Sequence, residues 1–314
     1  DLAAQDRVLW VHWLPVDWLG MPKNIQNRIK FAHKLVPFSR DGEARLRQAG
    51  LNVEPTIWLG LDPHIWHPRA REDLPKVMMS LGFQEDTFNI LLVGANQERK
   101  RLRQQLEGVH LFHHGLPQAN ARLYLHSITK GERDLAADLD ELDLAGITVS
   151  PDQYVMMQGG FPEDIMAAIY NCADVVLNCC MEGFGLSHIQ GQACGVPVIY
   201  LSEGPGAELV PFGVGVPPLA VETIRNQMAQ PTPNPMLIAT ALEYQWRKRV
   251  EEGRPRRSEK AAQFIRDNFS WEKIAEQWFG VIERVMGDVA KYCYQVPEPG
   301  EDLQARAKRL MEVA

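Results

Sequence analysis

Short, almost uninterrupted apolar runs alternate along this chain with longer mixed stretches of helical periodicity. The runs VLWVHW (8–13), PTIWL (55–59), NILLVG (89–94), ARLYLH (121–126), YVMMQG (154–159), DVVLNC (174–179) and VPVIYL (196–201) predict strands. Strands apolar at successive positions are covered on both faces, the condition of a parallel sheet flanked by helices. Helices are predicted at Gly42–Ala49, Glu98–Leu106, Glu163–Cys172 and Leu186–Ala193. From Met236 onward the pattern is helical almost to the end, with breaks at Gly253–Pro255, Gly287 and Pro297–Gly300. Glu301–Ala314 reads as an amphipathic helix beyond a Pro/Gly hinge. The Pro-rich stretch 61–75 reads as a boundary and the polar stretch Gly131–Leu144 as a surface excursion. Alternating strands and helices of this kind make an α/β protein.

The 314 residues include 33 Lys+Arg and 40 Asp+Glu, for a net charge of −7. At 45% hydrophobic the chain is an ordinary globular one, long enough to bury a sizeable core without staples. No run reaches the roughly 18–20 apolar residues of a membrane helix. The opening DLAAQDRVLWVHW has neither the basic start nor the cleavage site of a signal peptide. It also lacks an initiator Met, which suggests that the natural N-terminus lies upstream. Five cysteines with no C-x-x-C pair point to reduced thiols and a cytoplasmic location. The acidic balance disfavours non-specific nucleic-acid binding, and the basic runs Arg247–Arg249 and Arg254–Arg257 read as solvated helix faces.

The chemistry concentrates in NCCMEGFGLSHIQGQACGVPVI (178–199). A strand ends near Asn178, glycines at 183 and 185 make a turn, and a helix opens near Leu186. Unpaired backbone N–H groups and a positive helix end then meet at the carboxyl edge of a parallel sheet, a setting for phosphates. Glu182 enters the same crevice and can accept from hydroxyls; Gln190 follows two helical turns later. This describes a phosphate-plus-polyol site, or more plainly a glycine-rich turn beside a solvated glutamate.

Glu182, Gly183-Phe184-Gly185-Leu186, Ala193, Gly195 and Pro197-Val198 resemble the donor-binding signature of retaining GT-B glycosyltransferases of group 1 (family four type). Gln190 departs from it, standing where the family has a second Glu. FNILLVGANQERKR (88–101), YVMMQGGFPEDIMAAIYNCADVVLN (154–178), the linker-like stretch 38–68 and NFSWEKIAEQW (268–278) match further elements in order. Ala95 stands where many relatives carry an Arg.

The resemblance implies a GT-B fold. Residues 63–285 would form a Rossmann-like nucleotide-sugar donor domain and 286–314 a helical tail. Residues 1–62 would be the remnant of an otherwise missing N-terminal, acceptor-side lobe together with its linker. It implies a hexosyltransferase that transfers sugar from a nucleotide-diphosphate donor, UDP among the candidates, with retention and without metal or other cofactor. Arg99 and Lys100 would neutralise the diphosphate, and Glu182 would orient the sugar. Gly94 and the backbone of Gly183, Phe184, Gly185 and Leu186 would approach the donor. Gln190 would meet the ribose, and Gln158 and Gly159 would lie under the base. His12, at a strand end, would touch the donor sugar, unless it packs beside its tryptophan neighbours. Asp17 reads as a turn residue before an acceptor contact. The acceptor is open: a small molecule, a glycan, a protein or modified DNA. A donor-binding module without catalysis, a sugar phosphorylase and an epimerase are the competing functions.

Outside this site, His113-His114, Cys179-Cys180 and His188 read as structural. The tryptophans at 10, 13, 18, 58 and 66 read as core or hinge packing.

Overall fold

The structure, a computed structural model, describes residues 9–224, 228–251 and 257–292. It opens with strand β1 (Val11–Leu14), helix α1 (Lys23–Ile29), β2 (Lys34–Pro37) and α2 (Arg40–Gln48). The central unit runs α3 (Pro75–Ser80), β3 (Phe88–Val93), α4 (Leu102–Gly115), β4 (Ala121–His126), α5 (Leu135–Glu141), β5 (Thr148–Val149) and α6 (Gln153–Met157). It continues with α7 (Glu163–Cys172), β6 (Val175–Asn178), α8 (Leu186–Ala193), β7 (Val198–Leu201), α9 (Gly206–Leu209) and β8 (Val214–Val216). A hairpin of β9 (Pro218–Ile224) and β10 (Met228–Pro233) precedes α10 (Pro235–Val250), α11 (Glu259–Asn268) and α12 (Trp271–Tyr292).

Six strands form one all-parallel sheet in the order β5-β4-β3-β6-β7-β8. Alternation along each central strand feeds two cores. Ile90 and Leu92 of β3 face one with Val175, Leu106 and Leu242; Leu91 faces the other with Val176, Tyr170 and Ile189. This is why the sequence of β3 and β6 carries no polar face. β1 and β2 pair in parallel as a separate two-stranded sheet. One side is covered by α12, where Val36, Ile57, Ile274 and Val281 cluster and Trp13 meets Trp278 edge-on at 5.2 Å; the other packs Leu14 and Leu35 on Ile29, Leu46 and Val53.

Several local expectations need correcting. The run 154–159 is not a strand. The Asp152 carboxylate accepts from the backbone N–H of Tyr154 and Val155 and starts α6, whose Tyr154 and Met157 are exposed. Residues 55–59 form no strand either: Glu54 and Ile57 N–H donate to the Leu35 and Pro37 carbonyls, but between them the Thr56 N–H goes to the Glu43 carboxylate and interrupts the ladder. The 8–13 run yields a strand at Val11–Leu14, with position 8 outside the described residues. Stretch 131–144 is no mere excursion, because α5 buries Leu135 and Leu139, and Leu142 and Leu144 follow into the same core. Gly287 does not break α12, which runs through it from Trp271 to Tyr292. In the 247–249 run Arg249 leaves the solvated face and pairs with buried Asp174. Residues 253–255 and 293–314, with the breaks and the terminal helix read there, lie outside the described residues.

Candidate functional site

Because β4 and β5 wind to one side of β3 and β6 to β8 to the other, the chain's connections part above β3 and β6. A crevice opens there, beyond the carboxyl ends of both strands. It is a cleft of about 350 Å³. One wall is Val93, Gly94, Arg99 and Lys100, the other the stretch Glu182–Ser187 with Gln190; Pro15 and Asp17 from the loop after β1 close it.

The cationic wall owes its shape to a break. The expected helix at Glu98–Leu106 splits: Glu98–Lys100 is a single 3-10 turn, Arg101 is left-handed at φ 48°, and α4 begins only at Leu102. A non-glycine residue in that conformation is strained, a frequent mark of a functional segment. The break lets Lys100 ion-pair with Glu182, while Arg99 Nη1 lies 3.3 Å from Asp17 Oδ2 and 3.7 Å from Glu182 Oε2.

The opposite wall depends on two glycines for reasons other than ligand approach alone. A Cβ on Gly183 would sit 2.2 Å from Pro15 Cβ, so this glycine lets the loop after β1 press against the turn. Gly185 has φ 109° and lies against the His188 ring, ending the turn where α8 starts. No side chain caps α8, and Gly185, Leu186 and Ser187 line the cleft, so the positive end of the helix dipole lies at it.

The Lys100–Glu182 pair is largely buried, and the Arg99–Asp17 pair is partly exposed. Burial alone would raise the Glu182 pKa, but the Lys100 ammonium and then His188 and Arg99 hold it below the usual glutamate range. Burial would lower Lys100, yet the Cys180 sulfur and the Glu182 carboxylate keep it above the usual lysine value. Asp17 is shifted upward, chiefly by burial, with Arg99 opposing and Glu182 adding to the rise. Asn178 supports the floor: its amide reaches Ser187, and its carbonyl meets His188 Nε2 at 3.1 Å.

Of the residues singled out from sequence, the cleft brings together Gly94, Arg99, Lys100, Glu182, Gly183, Phe184, Gly185, Leu186 and Gln190. Phe184 puts its ring mostly into the core beside Phe269. His12 is not at the cleft; it stacks on Trp10 at 5.0 Å, and burial lowers its pKa. Gln158 and Gly159 are exposed at the end of α6 and do not line it. The tryptophans pack instead: Trp58 stacks on Phe269 and Trp66 meets Tyr170 edge-on. His113 and His114 close α4, His188 is buried, and the Cys180 thiol is pushed upward by burial. Among the described residues no three His, Cys, Asp or Glu side chains come together as a metal site, and no helix is long and apolar enough to cross a membrane.

Sequence reasoning missed Pro15 and Ser187 and underrated Asp17. The Asp17 loop is fixed from afar, by Gln230 Nε2 donating to the Asp17 carbonyl at 2.8 Å and Leu19 N–H donating to the Ala229 carbonyl. No local pattern announces a partner on a hairpin so distant in the chain.

Residues 87–230 match the family model described as glycosyl transferases group 1. A D-inositol 3-phosphate glycosyltransferase of Catenulispora acidiphila is 28% identical over 198 residues, 60% of this chain and 46% of that protein. The chain thus spans about half the length of that relative. Among solved structures, sucrose-phosphate synthase of Thermosynechococcus elongatus superposes with a TM-score of 0.69 at 18% identity, covering 91% of this chain and 71% of that one. The Anabaena HepE protein, solved with UDP and glucose, gives 0.69 at 17% identity over 87% and 71%. A Rickettsia africae glycosyltransferase gives 0.68 at 16% identity over 88% and 70%. The fold is therefore that of the GT-B glycosyltransferases, built on a parallel six-stranded sheet, and residues 87–230 carry the group 1 pattern.

Proposed function

We propose that this chain binds a nucleoside-diphosphate sugar and transfers the sugar, with its anomeric configuration retained and without a metal, to an acceptor not yet identified. The observation that carries the reading is one cleft in which Arg99 and Lys100 oppose the uncapped start of α8. Two cations and a helix end can hold a diphosphate and stabilise the charge that develops on it as it leaves. Glu182, held ionised by Lys100, accepts from sugar hydroxyls and fixes the reacting carbon. Gln190 faces the same cleft and offers one acceptor and one donor where a carboxylate would offer only acceptors. Solved neighbours with UDP and with UDP-glucose make the uridine nucleotides the first donors to try.

The test is thermal unfolding of the protein with a panel of nucleoside diphosphates and their sugars, each with and without a chelator. Ligand at a hundred times its dissociation constant adds about 2.7 kcal/mol, a shift of a few degrees. A shift with one nucleotide that survives chelation supports the reading; silence across the panel overturns it. Retention is read from the anomeric proton coupling of the first transfer product. Gln190 favours one second reading, a donor lobe that binds without transfer: it predicts the same shift but no release of nucleotide from the donor sugar.

A further inference from the structure

A second concavity lies at the opposite end of β3 and β6, where the chain enters these strands. It is a cavity of about 640 Å³ between α3 and the turn leading into β3. Its lining is predominantly apolar: Met78 and Phe83 are buried at its base and Met79 stands 77% exposed at its mouth. Arg71, only 5% exposed, forms part of the same wall.

Arg71 is incompletely matched. Its Nη2 donates to Asp174 Oδ1 at 2.8 Å, but Nε and Nη1 are buried without any hydrogen-bond partner. Asp174 is already shared: its other oxygen takes Arg249 and the Asn89 backbone N–H. Buried charged donors with no acceptor are unfavourable, and the cavity that Arg71 lines offers room for a molecule that brings one when the guanidinium turns toward it. The charges around the opening limit what that molecule is. Glu72 and Glu85 also line the cavity and repel a phosphate or any ligand of several negative charges. A single carboxylate on an apolar body satisfies both conditions.

We propose that this cavity binds a small amphipathic monocarboxylate, its chain against Met78, Met79 and Phe83 and its carboxylate on Arg71. The site is remote from the nucleotide cleft and independent of the function proposed for it.

The experiment uses the whole chain with its methionine methyl groups labelled for NMR, titrated with decanoate below its micelle concentration, and in parallel with decanol. Saturable shifts at the Met78 and Met79 methyls, at least tenfold weaker with decanol, are the expected result. Met79→Glu, at an exposed position that leaves the fold alone, weakens decanoate at least tenfold. Arg71→Gln, if it folds, removes the preference for decanoate over decanol. Absence of saturable shifts at these two methyls, equal binding of acid and alcohol, or full binding by Met79→Glu overturns the proposal.

Discussion

Asp17 gives the sharpest test of how the cleft is organised. Its carboxylate lies 3.3 Å from Arg99, which also reaches Glu182 at 3.7 Å. An anionic ligand must draw Arg99 away from Asp17 or share it. Coulomb's law at that distance and an effective dielectric of about 20 gives about 5 kcal/mol of gross attraction. The side chains are 32% and 19% exposed, however, and pairs so placed return only about 0.2–1 kcal/mol net. Asp17→Asn removes the competing charge while keeping the shape of the loop. It should tighten a nucleotide sugar by up to about fivefold, the upper end of that range. Burial raises the Asp17 pKa, so the wild-type cleft gains affinity as pH falls through that raised value, and the variant does not. Calorimetric titration with an intact sugar nucleotide, whose diphosphate diester does not itself titrate there, measures both effects. Weaker binding by Asp17→Asn, or superimposable pH profiles, would show that the pair does not compete with the ligand.

Two further substitutions probe the same walls. Lys100→Met leaves the buried Glu182 with Arg99 at 3.7 Å as its nearest cation and with Asn178 and the Cys180 thiol, each at 3.5 Å, as weak donors. It should cost about 3 kcal/mol at neutral pH by urea unfolding. Because the folded wild-type Glu182 pKa is depressed, its stabilisation is full above the ordinary glutamate value and fades as pH falls through the lower one. The deficit of the variant should therefore shrink on acidification; a constant deficit refutes the assignment. Gly183→Ala forces a methyl onto Pro15 Cβ and Cα and should destabilise by about 1–3 kcal/mol while loosening the cleft; unchanged stability would mean that the loop after β1 is not held there.

The four inner strands, β3, β4, β6 and β7, were legible because they are buried on both faces, which leaves no polar alternation to confuse; the short edge strands β5 and β8, only partly buried, were not. Helices α7 and α8 follow their predicted limits, Glu163–Cys172 and Leu186–Ala193, since α7 runs straight into β6 and α8 joins β6 to β7. Failures arose where a local rule outweighed apolar content. Asp152 turned YVMMQG into a capped helix, and left-handed Arg101 cut the helix expected through 98–106. The β9–β10 hairpin was invisible: β9 is exposed nearly throughout, and prolines at 231 and 233 contradict the usual strand signals. In the cleft, Glu182, Arg99 and Lys100 could be found from short segments. Asp17 read first as a turn residue and only second as an acceptor contact, since its place depends on Gln230 and Gly183, both far along the chain.

The packing of β1 and β2 against α12 also sets an order of events in time. The strand before Pro15 lies more than two hundred residues ahead of its cover, Ile274, Trp278 and Val281. Contacts of such wide sequence separation close slowly, after local helices and the sheet have condensed. The loop bearing Asp17 cannot settle on Gly183 until that closure is complete. The central sheet can therefore stand, its two cores filled, while the cleft still lacks a wall. Refolding followed by tryptophan fluorescence, which senses the Trp13–Trp278 contact, should lag behind refolding followed by backbone circular dichroism. The ability to take up a nucleotide should return with the slower phase.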